Sequence, residues 1–168
     1  MTIPSFFLLV LSLSLCLTLV LSYPPQNPVI GVYTQIDEYN EPSTKELLST
    51  YISTAYVKYV WMSGAQVVPI FAFSNQSDIE AVLRKVNGVL FTGGAGEDEI
   101  TIDNNRWVKN ANFILQWAIN QNKQGNVFPI WGTCLGFELL TYLTSRFDSS
   151  VLQPIRDSSH QINTLTFG

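Results

Sequence analysis

Charged residues are scarce in this sequence, and basic residues are scarcer than acidic ones. Only 13% of the 168 residues are charged, with nine Lys and Arg against thirteen Asp and Glu and a formal net charge of −4. Because nucleic-acid binding needs a concentrated basic surface, this balance excludes a nucleic-acid partner. The 46% of hydrophobic residues predicts one globular domain with a single core.

Long hydrophobic runs are also rare, and the one present lies near the amino terminus. Phe6 to Leu21 is mainly apolar and is shorter than the roughly 20 residues of a membrane-spanning helix. We therefore predict a signal peptide over residues 1–22, with a mature chain that begins at Tyr23. No Lys or Arg precedes the run, which departs from the usual pattern and leaves an uncleaved membrane anchor as the alternative.

Cysteine is limited to Cys16 and Cys134. Since Cys16 leaves with the predicted signal, the mature chain keeps Cys134 alone and has no internal disulfide. A lone cysteine in the secretory pathway is an intermolecular partner, an inert buried thiol or a reactive nucleophile. The triplet Asn75-Gln76-Ser77 is a glycosylation sequon, and together with the signal peptide it predicts a glycoprotein of the secretory pathway.

Strand and helix patterns alternate along the rest of the chain. Short apolar runs predict parallel strands at Val29–Tyr33, Val67–Ile70, Gly88–Phe91 and Val127–Trp131. Helical spacing predicts helices over residues 51–60, 77–86, 106–122 and 137–143. The alternation predicts an α/β fold with a doubly wound, mostly parallel sheet and helices on both faces.

Local signals refine two of these helices. Ser77 and Glu80 have the spacing of a capping box, which predicts a helix start at Ser77. Tyr51, Tyr56 and Tyr59 recur at helical spacing and are expected to pack mainly in the core, with Gly64 as the C-terminal stop.

Two glycine-containing segments follow the third and fourth predicted strands. They are Gly93-Gly94 and Gly132-Thr-Cys-Leu-Gly136, and both should face the crevice beyond the carboxyl ends of the strands. Gly-x-Cys-x-Gly has the form of a nucleophile elbow, and amides at a helix start favour the thiolate. The N–H of Leu135, with one from Gly93 or Gly94, would stabilise an oxyanion. The alternative is a buried cysteine in an ordinary strand-to-helix turn.

Four stretches together resemble the gamma-glutamyl hydrolase family of the class I glutamine amidotransferase-like group. They are Pro28–Gly31, Tyr51–Pro69, Asn87–Gly94 and Phe128–Glu138, and the resemblance extends over about residues 28–143. Many amidotransferases share the Gly-x-Cys-x-Gly pattern. The segment Trp131-Gly-Thr-Cys-Leu-Gly-Phe-Glu138, combined with the Tyr51–Pro69 block, is specific to this family.

The resemblance implies a flavodoxin-like fold and hydrolysis of γ-glutamyl amide bonds without metal or cofactor. Small-molecule substrates, poly-γ-glutamyl folates, would be cleaved through a thioester at Cys134. Gly94 and Leu135 match the oxyanion-hole region, and Tyr51 and Glu138 match positions near the substrate pocket. An acid in the first turn of a helix, such as Glu138, also has a purely structural explanation. The implied location is extracellular, lysosomal or vacuolar, and the resemblance leaves open whether the protein is a homodimer.

The resemblance is incomplete towards the carboxyl terminus. The family activates its thiolate with a histidine in a His-x-Glu-like segment that follows several more strands. His160 is the single histidine, and Ile162 stands where the paired acid is needed, so we expect His160 to be a solvated loop residue. Residues 23–168 are therefore interpreted as the N-terminal part of such a domain, and the apolar stretch Thr164–Gly168 as an interrupted strand.

Three functions stay open on the sequence alone. One is a γ-glutamyl hydrolase whose catalytic base is absent from this chain. The second is a glutaminase that feeds ammonia to a synthase, against which the signal peptide argues because such synthases are cytosolic. The third is a binding protein that keeps the pocket without turnover.

Overall fold

The computed structural model describes residues 27–36, 50–94, 100 and 105–153. The predicted signal peptide, His160 and the stretch Thr164–Gly168 lie outside these residues. The strands, in chain order, are β1 (Val29–Tyr33), β2 (Gln35–Ile36), β3 (Thr50–Tyr51), β4 (Gln66–Ile70), β5 (Gly88–Phe91) and β6 (Ile130–Gly132). The helices are α1 (Thr54–Met62), α2 (Gln76–Leu83), α3 (Arg106–Lys123) and α4 (Leu135–Thr144), and a 3₁₀ turn follows at Ser149–Val151.

The main sheet has the order β4-β1-β5-β6, and all three pairings are parallel. With its strands renumbered along the chain, this is the 2-1-3-4 order of flavodoxin-like sheets. The predicted α/β fold with a doubly wound parallel sheet is therefore confirmed. A second, antiparallel pair joins β2 to β3 and places Gln35 opposite Tyr51; the sequence patterns did not predict it.

The two faces of the sheet carry separate cores. Val32 and Leu90 point to one face and pack with Val60 of α1. Their neighbours Tyr33 and Phe91 point to the other face, which α2, α3 and α4 cover, because successive side chains of a strand alternate between faces. Helices thus lie on both faces, as the alternation of patterns predicts.

Tyr33 anchors the larger core to the start of α3. Its hydroxyl donates a hydrogen bond of 2.7 Å to the carbonyl oxygen of Trp107, and the Trp107 indole N–H donates to the carbonyl of Thr34 at 3.1 Å. The Tyr33 ring also packs against Phe91, with centroids 5.2 Å apart. Burial raises the pKa of Tyr33 well above its usual value, since the anion would lose its hydration there.

β4 forms one edge of this sheet and contains a proline. The N–H of Gln66 donates to Pro28, and the carbonyl of Ile70 accepts from Thr34, so alternate residues of β4 face β1. Pro69 lies between these positions, and its nitrogen therefore faces away from β1. This is the edge position that a strand proline requires, because it has no N–H to donate.

Several helix boundaries, and the burial of one tyrosine, differ from the predicted ones. Tyr51 belongs to β3, and α1 begins only at Thr54. The predicted core packing is wrong for Tyr59, which is 62% exposed. The capping-box prediction is also wrong, because α2 begins at Gln76, one residue earlier than predicted, and its N-cap is Asn75. The predicted stop after α1 is confirmed, since Gly64 has a φ of +84°, a value that glycine adopts readily.

Candidate active site

Cys134 lies at the turn from β6 into α4, where it is the N-cap residue. Its side chain is exposed, so the reading as a buried thiol is wrong. Its backbone has φ 53° and ψ −125°, a region that residues other than glycine rarely adopt. Such strain is concentrated at functional sites, and a sharp strand-to-helix turn of this kind projects a nucleophile above the sheet.

The flanking glycines allow the turn to be this tight. A Cβ added to Gly132 would lie 2.7 Å from the carbonyl oxygen of Gly136. A Cβ added to Gly136 would overlap the carbonyl oxygen of Phe91 in β5. Both contacts would be shorter than van der Waals contact, so the turn needs residues without a side chain at these two positions.

The structure brings the second glycine segment next to the cysteine. A Cβ added to Gly93 would lie 2.8 Å from the Cys134 Cβ and 3.4 Å from its Sγ. The Cα of Gly93 is therefore adjacent to the thiol. Gly94 is surrounded by two other side chains, since a Cβ there would lie 3.0 Å from both the Tyr51 hydroxyl and the Gln35 Cγ. The carboxyl ends of β5 and β6 thus meet in one site, as the strand order predicts.

Three backbone N–H groups at this site have no acceptor within the described ranges: those of Gly93, Gly94 and Leu135. The next amides of α4 are paired, because Gly136 donates to Thr133 and both Phe137 and Glu138 donate to the carbonyl of Cys134. Unpaired amides at a helix start are ready donors for an anion. They supply the donor type that an oxyanion hole uses.

Tyr51 reaches the site through the β2–β3 pairing rather than from a helix. Its side chain is at the border between half-buried and exposed, with 36% of its surface accessible. Two further residues of the site were missed by the sequence patterns. Tyr56 of α1 places its hydroxyl 2.5 Å from the position of a Cβ on Gly93. Gln35 is 1% exposed, and its Nε2 donates to the carbonyl of Thr92 at 2.6 Å.

Glu138 lies near the cysteine in the chain, whereas Asn75 is bonded to a different part of the molecule. Glu138 is half-buried in the first turn of α4, and its backbone N–H donates a hydrogen bond to the carbonyl oxygen of Cys134. Asn75 is exposed at the start of α2, where its Oδ1 accepts a hydrogen bond of 3.1 Å from Arg106. In the part of the chain that the structure describes, no hydrogen bond joins Asn75 to Cys134 or to the Gly93-Gly94 segment.

One apolar groove lies away from the cysteine, which is not among its lining residues. It has a volume of about 190 Å³ and lies on the α1 face of the sheet, between Tyr59, Leu90 and Trp131. Across residues 27–36, 50–94, 100 and 105–153, no set of three His, Cys, Asp or Glu side chains is close enough to hold a metal ion. In those same ranges, every helix is too short or too polar to cross a bilayer.

Comparison with known proteins identifies the family of this chain. The peptidase C26 profile matches residues 28–163. The human gamma-glutamyl hydrolase is 35% identical over 151 residues, which are 86% of this chain and 46% of that protein. The bovine gamma-glutamyl hydrolase is 35% identical over 121 residues, 72% of this chain and 36% of the relative.

A plant relative agrees, since gamma-glutamyl hydrolase 1 of Arabidopsis thaliana is 33% identical over 126 residues, 71% of this chain and 33% of its own. The chain thus spans a third to a half of the length of these curated relatives. The family match itself covers most of the sequence, from Pro28 through the cysteine turn. On this evidence, with a strained cysteine elbow at the carboxyl edge of a flavodoxin-like sheet, the chain belongs to the peptidase C26 family.

Proposed function

We propose that this chain carries the nucleophile of a cysteine hydrolase that cleaves γ-glutamyl amide bonds, with poly-γ-glutamyl folates as substrates. The observation that carries the proposal is the exposed Cys134 at φ 53°, with Gly93 against its side chain. Backbone strain of this kind clusters at active sites, where it forms part of the mechanism. The names of the relatives support the bond type.

The first chemical step is attack of the Cys134 thiolate on the carbonyl carbon of the scissile amide. A C–S bond forms, and the carbonyl π electrons move to oxygen. The N–H of Leu135, together with that of Gly93 or Gly94, would donate hydrogen bonds to this oxyanion. Loss of one such donor costs about 2.7 to 4 kcal/mol of transition-state stabilisation in known enzymes.

The second step breaks the C–N bond and leaves a thioester on Cys134. The departing amine must take up a proton, which a positioned general acid supplies in enzymes of this type. Water then hydrolyses the thioester and regenerates the thiol. The described ranges contain no histidine, and we propose that the proton-transferring group belongs to the region that the longer relatives have beyond this chain.

Three proteins test the proposal: the 168-residue chain, its His160→Ala variant and a form extended through the remaining length of the relatives. Release of glutamate from a poly-γ-glutamyl folate is measured for each. We expect activity only in the extended form, because general acid catalysis typically contributes about 10²- to 10⁴-fold. Cys134→Ser in the extended form should abolish it.

Two results would contradict the proposal. If the extended protein folds but releases no glutamate, poly-γ-glutamyl folates are not its substrates. Full activity of the 168-residue chain, abolished by His160→Ala, would make His160 the base and would end the interpretation of this chain as the nucleophile-bearing part alone.

We also propose that the protein enters the secretory pathway and reaches the extracellular space, the lysosome or the vacuole. Residues 1–22 would be removed as a signal peptide, and Asn75 would carry a glycan. Asn75 is exposed, which leaves space for such a modification. Whether the mature protein is a homodimer is tested by its mass in solution.

A further inference from the structure

Gln35 is a buried polar side chain near the cysteine. It is 1% exposed, its Nε2 donates to the carbonyl of Thr92 at 2.6 Å, and its Oε1 is buried without a hydrogen-bond partner within the described ranges. A buried amide oxygen without a partner costs free energy, and such groups are rare in native proteins. Packing alone would be better served by an apolar side chain, so the N–H donor accounts for the presence of glutamine.

The acceptor of this hydrogen bond belongs to the glycine segment beside the cysteine. The carbonyl of Thr92 and the N–H of Gly93 are parts of one planar peptide unit, and the described chain contains no cis peptide bond. In a trans peptide these two groups point in opposite directions. A hydrogen bond that holds the carbonyl on the Gln35 side therefore holds the N–H on the other side.

Glycine makes this restraint necessary. Gly93 and Gly94 follow Thr92, and glycine restricts backbone rotation less than any other residue. A flip of the Thr92–Gly93 peptide would exchange the positions of N–H and carbonyl and would turn a carbonyl oxygen towards any developing oxyanion. The Cα of Gly93 lies next to Cys134, so such a flip would change the electrostatics of the reaction directly.

We propose that Gln35 is a positioning residue, which fixes the Thr92–Gly93 peptide so that the glycine segment presents N–H groups to the oxyanion formed at Cys134. The inference rests on the proposed function only in that Cys134 is taken as an acyl-accepting nucleophile. It does not depend on the γ-glutamyl substrate or on the general acid.

Two reactions of the same thiol separate this role from a purely structural one. Acylation by p-nitrophenyl acetate passes through a tetrahedral oxyanion: a C–S bond forms, the C–O bond breaks, and nitrophenolate leaves as an anion without needing a proton. Alkylation by iodoacetamide displaces iodide and forms no oxyanion. Both reactions use the thiolate of Cys134, so their rate ratio cancels any change in thiolate fraction or accessibility.

The measurements use the 168-residue chain with Cys16→Ser, so that Cys134 is the only thiol, and Cys134→Ala as the blank. Gln35→Met removes the donor while keeping the length of the side chain. We expect its acylation rate to fall by about 10- to 1000-fold, the upper end being the loss of a whole oxyanion-hole donor, and its alkylation rate to stay unchanged. Circular dichroism verifies that each variant is folded.

Gln35→Glu adds a test within a single folded protein. A neutral carboxyl group can donate one hydrogen bond, whereas a carboxylate can only accept. The ratio of acylation to alkylation should therefore rise in Gln35→Glu as the pH is lowered and the new carboxyl is protonated. The same ratio should be independent of pH with Gln35 present.

Asn110→Leu is the matched control. Asn110 is also buried, and its Nδ2 donates to the carbonyls of Ala72 and Ser74 at 2.6 and 3.0 Å, so its loss removes a comparable amide-to-backbone bond elsewhere in the core. We expect this variant to lose stability but to keep the ratio.

Parallel losses of both reactions in Gln35→Met, an unchanged ratio, or a Gln35→Glu ratio that does not respond to pH would each overturn the positioning role. The role would also be overturned by the parent chain with Gln35 present. This would be the case if the folded parent were acylated at Cys134 no faster than a small free thiol that iodoacetamide alkylates at the same rate. Failure of the extended protein to release glutamate from the folate substrate would instead overturn the proposed function while leaving a ratio effect of Gln35 intact. The two inferences therefore fail on different measurements.

Discussion

Replacement of Cys134 by glycine should stabilise the protein relative to replacement by alanine. Both changes remove the sulfur, which is exposed and buries little apolar surface, but only glycine removes the Cβ from a backbone at φ 53°, ψ −125°. Holding a residue with a Cβ in such a region costs about 1–3 kcal/mol. Glycine in turn loses about 0.5–1 kcal/mol more backbone entropy on folding than alanine does. The difference leaves Cys134→Gly more stable by about 1 kcal/mol, with a range of roughly 0 to 2.5 kcal/mol.

The assay is equilibrium urea unfolding and thermal unfolding of both variants, followed by tryptophan fluorescence and circular dichroism. A difference of about 1 kcal/mol corresponds to roughly 2–8 °C in Tm for a domain of this size class. The matched control is Asn120, an exposed residue inside α3. There the order should reverse, and Asn120→Gly should be about 1 kcal/mol less stable than Asn120→Ala because the helix interior disfavours glycine.

If Cys134→Gly is less stable than Cys134→Ala by the margin found at Asn120, the turn stores no strain and the elbow does not constrain the nucleophile. Our reasoning from backbone geometry to reactivity would then fail. The expected order, in contrast, would mean that the protein gives up stability at this residue in exchange for the direction in which the thiol points.

Three further predictions concern other parts of the molecule. Gly136→Ala should lower the free energy of unfolding by about 1–3 kcal/mol in urea, because the new Cβ overlaps the carbonyl of Phe91 and overpacking of this kind costs that much; an unchanged midpoint would show that α4 shifts freely. Stability should fall as the pH rises above about 10, by up to about 1.4 kcal/mol per pH unit, because burial holds the pKa of Tyr33 above its unfolded value and unfolding releases its proton; the fall should be shallower in Tyr33→Phe, and equal slopes would refute the assignment. Protein made in its own secretory pathway should lose mass on glycosidase treatment, and Asn75→Gln should abolish that shift.

Much of the fold was predictable because its strands are continuous apolar runs. Val32, Val89 and Leu90 are buried, and runs of this type have few alternatives to a buried parallel strand. The cysteine turn was predictable for a related reason, since Gly132 and Gly136 flank it with the spacing that tight packing demands. Both the apolar strands and the glycine spacing can be recognised from residues that are close together in the sequence.

The residues that the patterns missed depend on contacts between distant segments. Tyr51 continues the helical spacing of α1, but pairing with Gln35 places it in β3. Gln35 is a polar residue after a strand, and nothing nearby in sequence indicates that its partner is Thr92. The N-cap Asn75 was missed because Ser77 and Glu80 have the spacing of a capping box, whereas Glu80 pairs with Arg84. Tertiary contacts outweigh local preference at Tyr51 and Gln35.

The two edges of the main sheet differ in their ability to pair with a further strand. At the β4 edge, Pro69 leaves an outward position without a donor, which blocks regular pairing with another strand. At the other edge, the backbone groups of Ile130 and Gly132 alternate with those that pair to β5 and so face outward. A strand from a longer form of the chain, or from another molecule, would therefore join beside β6. If that strand runs parallel to β6, the loop at its carboxyl end lies next to Cys134 and brings new side chains to the nucleophile; if it runs antiparallel, the loop at its amino end does so.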